Sequence, residues 1–302
     1  MTMALPTWIA VDWGTTHLRA YAIGPEGVLA DAASEDGMGQ LARDGYEPAL
    51  LRLISPWLAP GRVTEVVACG MVGSRQGWFE APYRTVPCTP LDSASLVTVP
   101  TRDARLKLRL VPGLRQDSPA DVMRGEETQI AGALAVLPGF DGVFCLPGTH
   151  SKWVQVSAGE VVSFQTAMTG ELFSLLSSQS VLRHGMQGDG WDEQSFRNAL
   201  SDAISRPERL AARLFALRAE GLIAGLSAAS ARARLSGLLI GIELAAARPY
   251  WLGQSVALIG AEGLCATYAR ALAAQGIAAR QLPAAACTIA GLSRARTPKV
   301  SA

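Results

Sequence analysis

Histidine is scarce in this sequence, 3 of 302 residues, and the five cysteines are scattered. Cys69, Cys88, Cys145, Cys265 and Cys287 form no CxxC pair, which excludes a zinc knuckle and a vicinal redox pair. An odd number of cysteines behind a start without a leader pattern points to free thiols in a reducing, cytoplasmic compartment. No apolar run is long enough to span a bilayer. The most apolar stretch, LSGLLIGIELAAA over 235–247, is short and carries Glu243, so no membrane partner is expected. No basic stripe stands out, and 27 Lys+Arg nearly balance 26 Asp+Glu, so no nucleic-acid partner is expected either. The usual phosphate signatures are missing too: there is no GxxxxGK[ST], and no GxGxxG with an acidic partner.

What is present is an apolar chain, 49% hydrophobic, long enough for one large core or two medium ones. Strand and helix patterns alternate, which makes the fold class α/β. Residues 8–13 and 18–24 read as a strand pair. A helix is expected within 39–59, starting near residue 47, and strands over 62–70 and 106–113. Residues 86–95 have loop composition. The stretch 119–139 reads as a helix beginning near Gly125, and 142–164 as strand, turn and strand. Further helices are expected from 168, near 193–205, 207–224 and 227–247. Residues 256–276 read as strand, glycine turn and helix, and the tail after 291 as frayed. The pattern of the start recurs at 142–156, which suggests two related halves.

The two hairpin tips carry chemistry. Gly14, Thr15 and Thr16 sit at the first, and Gly148, Thr149 and His150 at the second. Glycine lets backbone approach a ligand, and successive N–H groups in a tight turn make an anion-binding concavity. Asp12 would repel a phosphate unless a cation lay between them, and Mg²⁺ takes one or two carboxylates, waters and phosphate oxygens. A third turn, LIGAEGL, places Gly260 and Gly263 where a strand opens a helix, the arrangement that receives a phosphate or a flat group. One Gly-Thr turn is most simply a turn. The recurrence in both halves, with the third turn downstream, favours phosphate binding. Glu126 and Glu127, in RGEETQ, fall in the first turn of a helix, where a carboxylate is kept ionised and could accept a hydroxyl proton. Taken alone they read as an acidic helix start.

The order DWGTT, acidic helix start, LPGTHSKW and LIGAEGL resembles the actin/hexokinase/Hsp70-type fold. That is a two-lobed, actin-like ATPase architecture (a duplicated ribonuclease H-like fold) with a central interlobe cleft. More closely, IAVDWGTTHLRA, CGMVGSRQGWFEAPY, VMRGEETQIAGA, LPGTHSKWVQ, MTGELFSLL, LSGLLIGIEL and ALIGAEGL are similar to the 2-dehydro-3-deoxygalactonokinase family. The resemblance implies ATP- and Mg²⁺-dependent phosphorylation of the 6-hydroxyl of a 2-keto-3-deoxy sugar acid in galactonate catabolism. It implies Asp12 at the metal, and Gly14, Thr15, Thr16, Gly148, Thr149 and His150 at the phosphates. Gly260 and Gly263 would face the nucleotide. Glu126 or Glu127 would fill the slot where sugar kinases of this fold usually place an Asp base, and the choice stays open. For the substrate carboxylate Arg124 is the first candidate, followed by Arg19 and Arg75. Gly73, Ser74, Trp78, Thr169, Gly170 and Glu171 would line the sugar pocket.

The domains expected on this basis are 1–130, with the first phosphate hairpin and the sugar-acid pocket, and 131–302, with the second hairpin and the adenosine site. The partner is a small sugar acid, and a homodimer is left open. Two other readings compete: a different sugar kinase of the same fold, and a non-catalytic nucleotide-dependent sensor or assembly protein, since this fold hosts both.

Overall fold

The computed structural model describes residues 5–297. Along the chain run β1 (Trp8–Trp13), β2 (Leu18–Gly24), β3 (Gly27–Ser34), α1 (Tyr46–Ile54), β4 (Thr64–Gly70), β5 (Tyr83–Thr85), β6 (Val97–Val99), β7 (Leu106–Leu110), β8 (Gly113–Asp117), β9 (Ala120–Met123) and α2 (Glu126–Val136). There follow β10 (Gly142–Leu146), β11 (Ser151–Ser157), β12 (Glu160–Ala167), α3 (Thr169–Ser178), α4 (Glu193–Ser205), α5 (Leu210–Ile223), α6 (Ala228–Ala246), α7 (Arg248–Trp251), β13 (Val256–Gly260), α8 (Glu262–Ala273), β14 (Arg280–Pro283) and α9 (Ala284–Arg296).

The first sheet has the order β3-β2-β1-β4-β7-β6. β1 pairs antiparallel with β2 and parallel with β4, and its residues are buried except Asp12. A strand buried on both faces reads as a continuous apolar run, so one half-buried carboxylate at its C-terminal end stands out. The second sheet has the order β12-β11-β10-β13-β14, with β10 antiparallel to β11 and parallel to β13. The five strands β3-β2-β1-β4-β7 and these five are wound in the same order. This is the duplicated, actin-like arrangement that the motif order implies. A small third sheet, β5-β8-β9, accompanies the first.

The chain forms two compact units. Unit 1 holds the residues up to 140, 157–163 and those from 284 on; unit 2 holds 141–156 and 164–283. The expected boundary at 130/131 therefore falls inside α2, and α9 returns to unit 1. The cause is a close helix pair. A Cβ on Gly132 would collide with the Cys287 carbonyl, and one on Gly291 with the Thr128 carbonyl, so α2 and α9 cross with their backbones in contact. The stretch from 291, read as frayed, is helical to Arg296. Leu292 and Ala295 are buried, and Arg296 Nε donates to Glu65 Oε2 at 2.7 Å. Residues 298–302 of that stretch lie outside the described residues. The helix expected to begin near Gly125 starts at Glu126, and residues 120–123 ahead of it form a strand paired with β8.

In unit 2, α4 and α6 also pack closely, because Gly237 and Gly241 face the backbone of α4. All five cysteines are free thiols, four of them buried. Among the described residues no helix is long and apolar enough to cross a membrane.

Candidate active site

Unit 1 presents the first turn from the end of β1. Gly14 N–H donates to the His17 carbonyl (2.9 Å), and the carbonyls of Gly14 and Thr15 accept from Met38 N (3.0 Å) and Gly39 N (2.9 Å). A Cβ on Gly37 would overlap the Thr15 carbonyl. The turn is thus pinned by backbone alone, and Thr15 and Thr16 keep exposed hydroxyls. Asp12 lies in register with Arg19 and Cys69, 3.6 Å from the Arg19 guanidinium. Burial raises its pKa against the pull of Arg19. Arg19 is thereby engaged with Asp12, and Arg75 is exposed.

The acidic helix start lies at the same end of the sheet. Gly125 has φ 110°, and a Cβ there would sit 3.3 Å from Gly70 Cα, which lets α2 begin against the end of β4. The two glutamates separate by burial. Glu127 is fully buried; its Oε2 accepts from Gly125 N (2.7 Å) and its Oε1 lies 3.0 Å from the Thr128 hydroxyl. Burial, with Glu126 beside it, pushes its carboxyl up to about 8. Burial, with Asp12 and Glu127 nearby, holds the Cys69 thiol well above its ordinary range. Glu126 is half-buried, and its Oε2 accepts from Arg124 N at 3.0 Å.

Arg124 is buried. Its Nη2 donates to the Ala81 carbonyl (2.8 Å), and its guanidinium carbon lies 4.2 Å from the centre of the Tyr83 ring. Its Nε and Nη1 have no hydrogen-bond partner, and neither does the buried Ser74 hydroxyl. A Cβ on Gly73 would lie 3.0 Å from Nη1, so the glycine leaves room at the guanidinium edge. Gly73, Ser74 and Arg124 are therefore brought together. Trp78 is not part of this cluster: it packs with Trp13 and Tyr46 and lines a cavity of about 880 Å³ with Arg43, Leu51, Phe79 and Arg102.

Unit 2 presents Gly148, Thr149 and His150 between β10 and β11, with Thr149 and His150 exposed. The start of α3 clamps this turn. Gly170 packs on the Gly148 carbonyl, leaving no space for a Cβ, and Glu171 N donates to the Thr149 carbonyl at 2.9 Å. His150 Nε2 and Glu171 Oε2 are 2.5 Å apart. Thr169, Gly170 and Glu171, expected in the sugar pocket, thus stand at the second turn, and Thr169 is buried. The third turn follows β13. A Cβ on Gly260 would lie 3.3 Å from the Pro147 carbonyl, beside the second turn, while Gly263 faces open space.

Tyr83 escaped the sequence reading. Its only signal is the EAPYR end of the glycine-rich segment, and its partner Arg124 is remote in the chain. Among the described residues no three His, Cys, Asp or Glu side chains gather as a metal cage. A single carboxylate, Asp12, beside a turn of exposed hydroxyls and N–H groups fits Mg²⁺ that keeps waters and phosphate oxygens as its other ligands.

The family model described as 2-keto-3-deoxy-galactonokinase matches residues 12–295. A Rhizobium meliloti (strain 1021) protein named a probable 2-dehydro-3-deoxygalactonokinase is 40% identical over 297 residues, covering 95% of this chain and 96% of the relative. The Escherichia coli (strain K12) 2-dehydro-3-deoxygalactonokinase is 36% identical over 275 residues, 89% of this chain and 90% of the relative. A crystal structure from Sinorhizobium meliloti, described under the same enzyme name, superposes with a TM-score of 0.87 at 39% identity, over 95% of this chain and 97% of that one.

Proposed function

The chain belongs to the 2-keto-3-deoxy-galactonokinase family, and from that premise we propose that it is a cytoplasmic kinase that uses ATP and Mg²⁺ to phosphorylate the 6-hydroxyl of 2-dehydro-3-deoxy-D-galactonate in galactonate catabolism. The observation that carries the acceptor class is Arg124. A buried guanidinium with two unpartnered nitrogens is costly unless an anion completes it. A ligand carboxylate would accept from Nη1, at the edge that Gly73 leaves open, with the Ser74 hydroxyl as a further donor. Glucose carries no such group.

Glu126 is the residue that takes the proton, because Glu127 is fully buried and hydrogen-bonded at the helix start. The acceptor hydroxyl gives its proton to Glu126 as its oxygen bonds to the γ-phosphorus. The bond from that phosphorus to the β–γ bridging oxygen breaks, and ADP leaves. Phosphoryl transfer depends chiefly on positioning and charge neutralisation. The Gly14–Thr16 turn, on unit 1, and the Gly148–His150 turn, on unit 2, are each candidate phosphate donors, and Gly263 faces open space at the start of its helix. Asp12 is the residue that would hold Mg²⁺, which neutralises phosphate charge when bound.

The test is ADP release by the purified protein with Mg²⁺ and ATP. The acceptors are 2-dehydro-3-deoxy-D-galactonate, its gluconate epimer, glucose and none. Turnover with the galactonate-derived acid alone is expected. Turnover with glucose would overturn the acceptor class, and slow hydrolysis indifferent to every acceptor would overturn the kinase.

A further inference from the structure

The segment LSGLLIGIEL lies on α6, and nothing in the proposed reaction uses it. It delivers Glu243 into the interior of unit 2, 4% exposed. Its Oε1 accepts from Trp153 Nε1 at 2.8 Å, and its Oε2 from the Tyr268 hydroxyl at 2.7 Å. The hydroxyls of Thr169 and Ser151 hydrogen-bond to the same carboxyl, and Ser151 Oγ is also 2.9 Å from Tyr268 Oη. These donors are neutral and buried, and a carboxyl group has about four acceptor positions to receive them. An ionisable group in so apolar a setting does not follow from packing needs, since burial works against its charge.

The positions of the donors give the reason. Ser151 is the residue after the Gly148–His150 turn, and Trp153 follows on the same strand. Thr169 is the residue before Gly170 and Glu171, which clamp that turn from α3. Tyr268 lies on α8, the helix opened by the third glycine turn. We propose that Glu243 is a positioning residue for ATP: its buried carboxyl ties the second phosphate turn, the start of α3 and the helix behind Gly260 and Gly263 into one arrangement. The inference rests on the reading that these turns receive ATP. Glu243 touches no reacting atom. It acts through Ser151, Thr169 and Tyr268, in the way that supporting groups fix the residues that contact a ligand.

Titration with a non-hydrolysable ATP analogue, together with KM for ATP and for the sugar acid, tests the proposal on Glu243→Gln, Tyr268→Phe and Leu235→Ala. Glu243→Gln keeps the shape but turns an amide NH₂ toward donors, so the Kd and KM for ATP should rise about tenfold or more, as expected when a buried partner is lost. KM for the acid should stay within about twofold, because the acid's groups are on unit 1. Tyr268→Phe removes one donor and should give a smaller rise of the same kind. Leu235→Ala, buried in another cluster of α6, should lower thermal stability and leave KM for ATP unchanged. ATP affinity in Glu243→Gln equal to that in Leu235→Ala would overturn the inference. If Glu243→Gln fails to fold, unchanged ATP affinity in Tyr268→Phe would overturn it alone. Wild-type protein that does not bind the analogue would end the functional reading and this inference together; binding by wild type and equally by the variants ends only the latter.

Discussion

The two glycine-threonine turns end hairpins in sheets wound in the same order, yet they are held by different means. The first is pinned by its own backbone and by residues 37–39, with Asp12 at its base. The second is clamped by a helix start and by side chains that lead back to a buried carboxyl. A duplicated scaffold thus repeats its topology without repeating its supports. The chemistry is divided in the same way: Asp12, Glu126, Glu127 and the buried Arg124 belong to unit 1, and the side-chain lattice around one turn, with Glu171 and Glu243, belongs to unit 2.

Glu126→Gln should break this division most severely. It should lower kcat about 10²- to 10⁴-fold, the usual contribution of a general base, with ATP-analogue affinity in unit 2 unchanged. A loss shared equally with Glu127→Gln would remove the distinction drawn between the two residues. Arg124→Met comes next. Loss of a charge-assisted pair at 1.5–3 kcal/mol corresponds to a rise of roughly ten- to hundredfold in KM for the acid, read beside an unchanged KM for ATP. Then come the paired glycine variants. Gly37→Ala and Gly170→Ala each force a Cβ into a carbonyl, and each should cost about 1–3 kcal/mol in thermal unfolding. Gly170→Ala should also raise KM for ATP, because it moves the clamp on the second turn.

The pH dependence probes unit 1 alone. Folded Glu127 titrates at about 8, against an ordinary value of 4.5, so the folded chain keeps a proton that the unfolded chain has released. Its contribution to stability is therefore full below about 4.5 and is lost as pH rises to about 8. Thermal unfolding followed from pH 5 to 8 should show a decline that is shallower in Glu127→Gln. An identical decline would mean that Glu127 is ionised when folded.

The hairpins were legible because period-two strands flanking Gly-Thr leave few other readings, and the repeated pattern exposed the duplication. Helix α9 was not. AAACTIAGLSRAR has a narrow apolar stripe, and its contact with α2 runs through glycines, which carry no hydropathy signal. The sequence could not separate Glu126 from Glu127, because neighbours of identical chemistry differ only in which way the helix turns them. Glu243 stood out as a charge in an apolar run. Its meaning required the four donors, which come from three other elements. The packing of Trp78 against Trp13 and Tyr46 was not legible either, because those partners lie on other elements of the chain.

Phosphoryl transfer to the terminal hydroxyl of a sugar acid is read directly by phosphorus NMR of the completed reaction. With 2-dehydro-3-deoxy-D-galactonate, ATP and Mg²⁺, the account predicts ADP together with a new phosphomonoester signal split by the two protons of a CH₂ group. ADP accompanied only by inorganic phosphate would contradict it.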